Sequence, residues 1–321
     1  MKLFHGFNDA SPDDAAAYRG GFVTIGNFDG VHLGHQSMIA LLVQRAREAN
    51  VPAVVLTFEP HPINLLRPEH TPPSLSTLAR KIELLCKCGV DCVIAYPTDM
   101  ELLKLSPHKF FETIIRQNLS ARGLVEGPNF FFGRNRAGSI DTLRDLCEST
   151  GLTLDIVPSM SIGDRMVSSS VIRSLISDGK IAEAIELLGH PYQVIGEVVS
   201  GAGRGQTIGF PTANLSGIET LLPPDGVYAA VSVVDGQQFP AAVNLGANPT
   251  FGETARKLEV HLVGFDDDLY GQTLHVDFLA RLRDTSSFPN ADALKQQLRL
   301  DIEEVQQVAG AQSANPGEST C

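Results

Sequence analysis

Two kinds of apolar pattern divide this chain. Between about residue 21 and residue 190, short β-like runs alternate with stretches in which apolar residues return every three or four positions. The pattern predicts strands at 22–26, 51–58, 90–96, 122–126 and 152–157, and helices near 34–49, 75–88, 107–117, 139–149, 169–178 and 180–188. Phe22-Val23-Thr24-Ile25 reads as a buried strand, and Met38, Ile39, Leu41, Leu42 and Ala46 recur at helical spacing behind it. Ser106 offers a capping hydroxyl and Pro107 a first-turn proline to the third helix. Such alternation builds a parallel sheet with helices on its faces, and its ligands gather at the carboxyl ends of the strands.

After His190-Pro191 the pattern shortens to β-branched runs at 193–200, 227–234, 239–245, 257–264 and 273–280, separated by glycine, proline and Asp-Gly turns. Asp235-Gly236 is a hairpin signal, and the whole reads as a β-barrel or sandwich. A last helical pattern covers about 290–308, and the polar segment Gly310 to Cys321 is expected to be a disordered tail. The domains expected are therefore 1–186 and 187–309, with 310–321 as the tail.

Composition narrows the class. A chain of 321 residues with 43% hydrophobic content can bury two cores. A net charge of −12 without a basic run argues against nucleic acid or a membrane surface as partner, so an anionic substrate must be held by local donors. No stretch reaches the length of a membrane span, and the polar, acidic start lacks the pattern of a secretory signal, which suggests a cytoplasmic enzyme. Five cysteines, an odd number, suggest reduced thiols. Cys86, Cys88 and Cys92 are close enough to test for zinc, but no second ligand pair stands at zinc spacing, and buried small hydrophobes is the better reading.

The chemistry concentrates in Gly26-Asn27-Phe28-Asp29-Gly30-Val31-His32-Leu33-Gly34-His35, between the first strand and the helix after it. Free backbone N–H groups at a helix start hold phosphate, and histidines three apart on a first turn point the same way. Two surface histidines beside a tight turn is the bland alternative; strand, G-x-F-D-G, H-x-G-H and helix together favour an anion site. Ser168 and Ser169 precede another helical pattern and suit capping or phosphate contact equally. In the second half, Gly201-Ala202-Gly203-Arg204-Gly205 fails as a dinucleotide fingerprint, because Gln206 replaces the third glycine and no helix is expected to follow. A flexible glycine-rich loop is the better account. There is no G-x-x-x-x-G-K-(S/T).

Several motifs together carry a family resemblance. GNFDGVHLGH, Phe58-Glu59-Pro60-His61-Pro62, Gly127-Pro128-Asn129-Phe130-Phe131-Phe132-Gly133 and Val167-Ser168-Ser169-Ser170-Val171-Ile172-Arg173 resemble the FMN adenylyltransferase half of the bacterial bifunctional riboflavin kinase/FAD synthetases. Gly209-Phe210-Pro211-Thr212-Ala213-Asn214-Leu215, Leu258-Glu259-Val260-His261 and Asn244-Leu245-Gly246-Ala247-Asn248-Pro249-Thr250-Phe251 resemble the riboflavin kinase half. The fold implied is α/β: a nucleotidyltransferase-type (Rossmann-like) parallel sheet domain, then an antiparallel β-barrel kinase domain with a terminal helix. The reactions implied are phosphorylation of riboflavin to FMN and adenylylation of FMN to FAD, with ATP as co-substrate and Mg2+ as cofactor. Substrates are small molecules, and self-association stays open.

The resemblance also implies roles. His32, His35 and Arg173 would neutralise charge during adenylyl transfer; Gly26, Phe28, Asp29, Gly30, Asn129, Ser168 and Ser169 would contact ATP or phosphate. Phe58, His61 and Pro62 fall on the flavin side. In the kinase half, Glu259 would be the general base, Gly203, Arg204 and Gly205 would meet ATP, and Thr212 and Asn214 would hold the metal and phosphates. Phe210 and Arg283, with the Phe288 region, would line the flavin. Ser170, Gln206 and Asn248 depart from the commonest family residues, the last two each removing an arginine charge. A chain with one silent half, a flavin-binding regulator and a different nucleotidyltransferase are the rival readings.

Overall fold

The computed structural model describes residues 1–7, 12–201, 204–247 and 256–313. They form two compact units, one from Met1–Pro72 and Leu78–Ser168, the other from Pro73–Thr77 and the chain from Ser169 on.

In the first unit six parallel strands, β1 (Lys2–Phe4), β2 (Phe22–Ile25), β3 (Ala53–Glu59), β4 (Cys92–Pro97), β5 (Gly123–Glu126) and β6 (Thr153–Ile156), lie in the order β1-β4-β3-β2-β5-β6. A small hairpin of β7 (Ser161–Ile162) and β8 (Arg165–Met166) follows. The helices are α1 (Pro12–Ala15), α2 (Leu33–Ala49), α3 (Pro62–Leu66), α4 (Leu78–Lys87), α5 (Met100–Lys104), α6 (Pro107–Phe110), a wider-wound continuation at Phe111–Asn118, and α7 (Ile140–Thr150). Alternate strand residues feed two cores. Val23, Ile25, Val54, Leu56, Cys92, Ile94 and Leu124 pack with Phe110, Ile114, Leu143 and Cys147 on one face. Phe22, Val55, Val93 and Val125 pack with Ile39, Leu42 and Ala46 of α2 and Leu84 and Leu85 of α4 on the other. This period of two is why a sheet covered on both sides reads as nearly continuous apolar runs. Cys88 and Cys92 are buried thiols, as expected of small hydrophobes; Cys86, by contrast, is exposed. Its side chain falls on the solvent side of α4.

The second unit begins with α8 (Ser169–Ser177) and α9 (Ile181–Leu188) and continues into β9 (Tyr192–Val199), α10 (Arg204–Thr207), β10 (Ala213–Ser216), β11 (Gly226–Val234), β12 (Gln237–Gly246), β13 (Lys257–Leu262), β14 (Thr273–Arg283) and α11 (Ala291–Ser313). The strands close into an antiparallel barrel in the order β10-β13-β12-β11-β14-β9. Along β13, Leu258, Val260 and Leu262 are buried while Glu259 and His261 face outward. By packing, residues 169–186 belong with the barrel and not with the first unit as their sequence position suggested, because α9 buries Ile181, Ala184, Leu187 and Leu188 and packs against β9 and β14. Gly310–Ser313, expected in the tail, continue α11, whose Ala309 packs with Val231 and Leu279 on the barrel wall. Residues 314–321 of the expected tail lie outside the described residues.

Candidate active sites

The turn between β2 and α2 is held by its own apolar side chains. Phe28, Gly30 and Val31 all take positive φ (47°, 77° and 38°). For the two non-glycine residues that conformation costs roughly 1–2 kcal/mol each, whereas burying a Val or Phe side chain returns about 1.5–3 kcal/mol. Phe28 and Val31 are 1% and 0% exposed, so burial wins and the strained turn persists. Its consequence is placement of the histidines. His32 caps α2, and its Nδ1 accepts from the backbone N–H of His35 at 3.3 Å. A neutral His32 therefore carries its proton on Nε2. The two imidazoles stack at 3.6 Å with 17° between their planes, and Phe28 packs edge-on against His35 at 5.2 Å. Gly34 leaves the room for this, since a Cβ there would stand 3.3 Å from the His32 ring.

Electrostatics corrects one expectation. Burial first, then the His32 ring and the Lys81 charge, hold the His35 pKa well below the ordinary histidine value. At neutral pH His35 is an uncharged hydrogen-bonding group, not a cation. Its Nδ1, like Asn27 Oδ1, is buried with no hydrogen-bond partner among the described residues. Buried polar atoms of this kind call for an occupant or water.

The Phe58–Pro62 loop is tied to this turn. His61 caps α3, its Nδ1 accepting from Ile63 N at 3.1 Å, while its Nε2 lies 2.8 Å from the Asn27 side-chain amide. Thr57 Oγ1 donates to Asn27 O at 3.2 Å. Phe58 is partly buried against the core, and Pro62 opens α3. Glu126, at the end of β5, accepts from Ile25 N at 2.8 Å and is 1% exposed. Burial drives its carboxyl pKa well above the usual range, so ionisation is disfavoured in this carboxyl under the carboxyl edge of the sheet. Sequence reasoning passed over it; a glutamate closing the apolar run Leu124-Val125 was the available signal.

Asn129 is exposed in the turn after β5, where Phe130 N donates to Gly127 O at 3.2 Å. Phe130 and Phe132 stack at 5.5 Å and belong to the core region; Phe131 points outward beneath the Arg136 guanidinium, 4.9 Å away. Asp29 is buried, and Gly26 follows the last residue of β2, its N–H donating to Leu56 O at 3.0 Å. Ser168 ends the first unit, whereas Ser169 and Arg173 lie on α8 in the second, where Arg173 Nε donates to Pro73 O at 2.8 Å.

On the barrel the register assembles what the sequence spreads over 46 positions. Glu259 stands opposite Asn214 on β10 and opposite Asn244 on β12. Cross-strand partners share a face, so the carboxylate lies between two side-chain amides on the outer wall. Thr212 immediately precedes β10, two positions before Asn214. The Asn214 amide occupies the space where a Cβ on Gly201 would be, and the Phe210 carbonyl does the same over Gly205, whose own carbonyl accepts from Phe210 N at 2.8 Å. His261 Nδ1 donates to Pro211 O at 2.7 Å, and the Phe210 ring meets His261 edge-on at 5.8 Å. The Phe210–Asn214 segment is thus laid along the Glu259 strand.

Two expectations change. The segment read as a flexible glycine loop carries a helical turn, Arg204–Thr207; Gly203 and Asn248 lie outside the described residues. Arg283, read as a flavin contact, has its fork committed elsewhere: Nε and Nη2 donate to the two oxygens of buried Asp301 at 2.9 and 2.7 Å, and Nη1 donates to Asp284 O at 3.0 Å. Its guanidinium lies 5.8 Å from the Phe288 ring centre. Asn244 is the residue the sequence reading quoted without assigning, and only register shows its place beside Glu259.

The histidine-bearing turn on the parallel sheet and the carboxylate-amide row on the closed barrel give each unit a candidate site of its own, as in a two-unit enzyme. The family comparisons agree: residues 14–171 match the FAD synthetase model, and residues 188–309 the riboflavin kinase model. A bifunctional riboflavin kinase/FMN adenylyltransferase from Escherichia coli K12 is 34% identical over 302 residues, covering 94% of this chain and 96% of its own. One from Haemophilus influenzae is 36% identical over 304 residues, covering 94% and 97%. A solved structure described as a macrolide-efflux protein from Streptococcus pneumoniae superposes with a TM-score of 0.84 at 32% identity, over 95% of this chain and 98% of that one. No helix among the described residues is long and apolar enough to cross a membrane. The chain belongs to the bifunctional riboflavin kinase/FMN adenylyltransferase family. It is an enzyme that phosphorylates riboflavin to FMN and adenylylates FMN to FAD, with ATP as co-substrate of both steps.

Proposed function

We propose how the residues divide the work of these two reactions. In the first unit an FMN phosphate oxygen attacks the α-phosphorus of ATP and pyrophosphate leaves. No covalent enzyme intermediate is needed, so catalysis is positioning and electrostatic stabilisation. His32 donates through Nε2 to a phosphate oxygen, and the uncharged His35 ring beside it contributes a hydrogen bond. The Gly26, Phe28, Asp29 and Gly30 backbone lines the turn, Asn129 and Ser168 add polar contacts, and Phe58, His61 and Pro62 border the flavin. The observation that carries this assignment is the stacked His32–His35 pair at the helix start.

In the second unit Glu259 takes the proton from the terminal ribityl hydroxyl as that oxygen attacks the γ-phosphorus of ATP and ADP leaves. Gly203, Arg204 and Gly205 border the ATP, and Phe210 borders the flavin. Asn214 and Asn244 flank Glu259 and hold its carboxylate in register. The donor set suits magnesium: Thr212 and Asn214 offer neutral oxygens, fitting a hard cation that keeps most of its waters. Held there, the metal would offset negative charge on the ATP phosphates. Arg283 acts at one remove, fixing α11 through Asp301.

We further infer a cytoplasmic setting without nucleic-acid or membrane partners, supported by the net charge of −12 and by the free Cys86, Cys88, Cys92 and Cys147. The test is to incubate the protein with riboflavin, ATP and magnesium and separate the flavins over time. His32→Ala with His35→Ala is expected to abolish FAD while sparing FMN, and Glu259→Gln to stop FMN formation while leaving added FMN convertible. If either folded variant lost both activities, the two-site division would be wrong.

A further inference from the structure

Lys81 stands outside every motif used above. It lies on α4, which follows the Phe58–Pro62 loop and runs back towards β4, so its first turns lie at the carboxyl edge of the sheet, where phosphate is handled. One turn further on, Leu84 and Leu85 bury against the same core as Ile39 and Leu42 of α2. This packing carries Lys81 inward. The residue is 7% exposed. Arg80 beside it is bonded to Glu83 at 2.7 Å, whereas Lys81 makes no hydrogen bond and no ion pair within 4.0 Å among the described residues.

The groups that feel its charge are Asp29 of the phosphate turn, Glu59 of the flavin-side loop and the His35 ring. All three belong to the adenylyl-transfer site, on three different elements. The ordinary explanation is that Lys81 balances the two carboxylates. Neither is at ion-pair distance, however, and burial outweighs both, holding the ammonium below lysine's usual pKa. A buried ammonium that the protein leaves unbonded is costly, and an anionic occupant removes that cost.

We propose that Lys81 is a phosphate-binding residue of the adenylyl-transfer site, its ammonium donating to a phosphate oxygen of a substrate held between the Gly26–His35 turn and the Phe58–Pro62 loop. This rests on assigning that turn to FMN adenylylation. Two substrates carry the required group: the FMN phosphate, and the ATP chain whose outer part leaves as pyrophosphate.

The test compares full-length wild type with Lys81→Met, Lys81→Gln and Lys81→Arg. Wild-type FAD formation from added FMN and ATP checks the underlying assignment by itself. Loss of one charge-assisted contact is expected to lower kcat/KM for FAD formation about 10- to 100-fold in Lys81→Met, with Lys81→Arg recovering part of it. Riboflavin phosphorylation in the same preparation should be unchanged. A rise in KM for ATP, with weaker calorimetric binding of pyrophosphate, places the ammonium on the polyphosphate; a rise in KM for FMN, with weaker binding of FMN and pyrophosphate unaffected, places it on the flavin phosphate. Calorimetry needs no turnover, so it also decides the proposal if wild type forms no FAD. Lower thermal stability with binding and both KM values within about twofold of wild type would mean a structural lysine and overturn the proposal. Should Lys81→Met fail to fold, Lys81→Gln at wild-type rates and affinities would overturn it equally.

Discussion

Arg283 offers a quantitative separation of a structural role from a flavin-binding one. Asp301 is 2% exposed and accepts from Arg283 Nε at 2.9 Å, Arg283 Nη2 at 2.7 Å and Gln297 Nε2 at 2.9 Å. Arg283→Met keeps much of the apolar stem but removes both charge-assisted donors and leaves the carboxylate with one neutral partner. Breaking a buried pair from one side costs about 3–5 kcal/mol, because the surviving charge stays desolvated. The Arg283 side chain is 23% exposed, so water relieves part of this, and about 3 kcal/mol is the expected loss. For a unit of this size that lowers the midpoint of unfolding by roughly 10 °C. The loss should be confined to the barrel: after a heating step, riboflavin phosphorylation should fail at a lower temperature than in wild type, while conversion of added FMN to FAD survives. Arg283→Met with Asp301→Leu should regain most of the stability, since no buried charge is left alone. Below the transition, the riboflavin KM of Arg283→Met should stay within about threefold of wild type. A stability loss under about 1 kcal/mol, together with a tenfold or greater rise in riboflavin KM, would refute the clamp and restore Arg283 as a flavin contact.

Glu126→Gln keeps an oxygen to accept from Ile25 N but cannot ionise. A carboxyl whose folded pKa is raised contributes stability below its unfolded value, and that contribution is lost as pH rises through the folded value. The variant should therefore hold its Tm better than wild type as pH increases, and parallel Tm-against-pH curves would contradict the burial argument. His35 works with the opposite sign: its lowered pKa gives stability present above about pH 6.5 and lost as pH falls, so His35→Asn should flatten the acid limb of the same curve. Gly201→Ala places a methyl group on the Asn214 amide and should depress riboflavin phosphorylation while leaving FAD formation from FMN intact, measured by the two reactions on one preparation.

What the sequence made legible follows from how far each signal reaches. The period of two and the period of 3.6 lie within a single element, and they locate β2 to β6 and the helices that cover them to within a few residues. β10 escaped because Ala213-Asn214-Leu215-Ser216 has one strongly apolar position; it is a strand because β9 and β13 bond it from both sides. Yet β10 carries Asn214, so the weakest local signal holds the residue that pairs with Glu259. The same limit explains Asn244, whose place beside Glu259 depends on the pairing of β12 with β13 and on nothing in its own neighbourhood. Charge state is further out of reach. His32 and His35 look like two cations in a row of letters, but one ring accepts from the other residue's backbone and the second is buried beside a lysine, which disfavours its charged form. Glu126 and Lys81 follow the same rule: on amphipathic grounds both belong in water, and both are buried where the carboxyl edge of the sheet meets the Gly26–His35 turn. A polar residue that breaks the burial pattern is the trace that a site leaves in a sequence, and it becomes readable once the fold shows which face is inside.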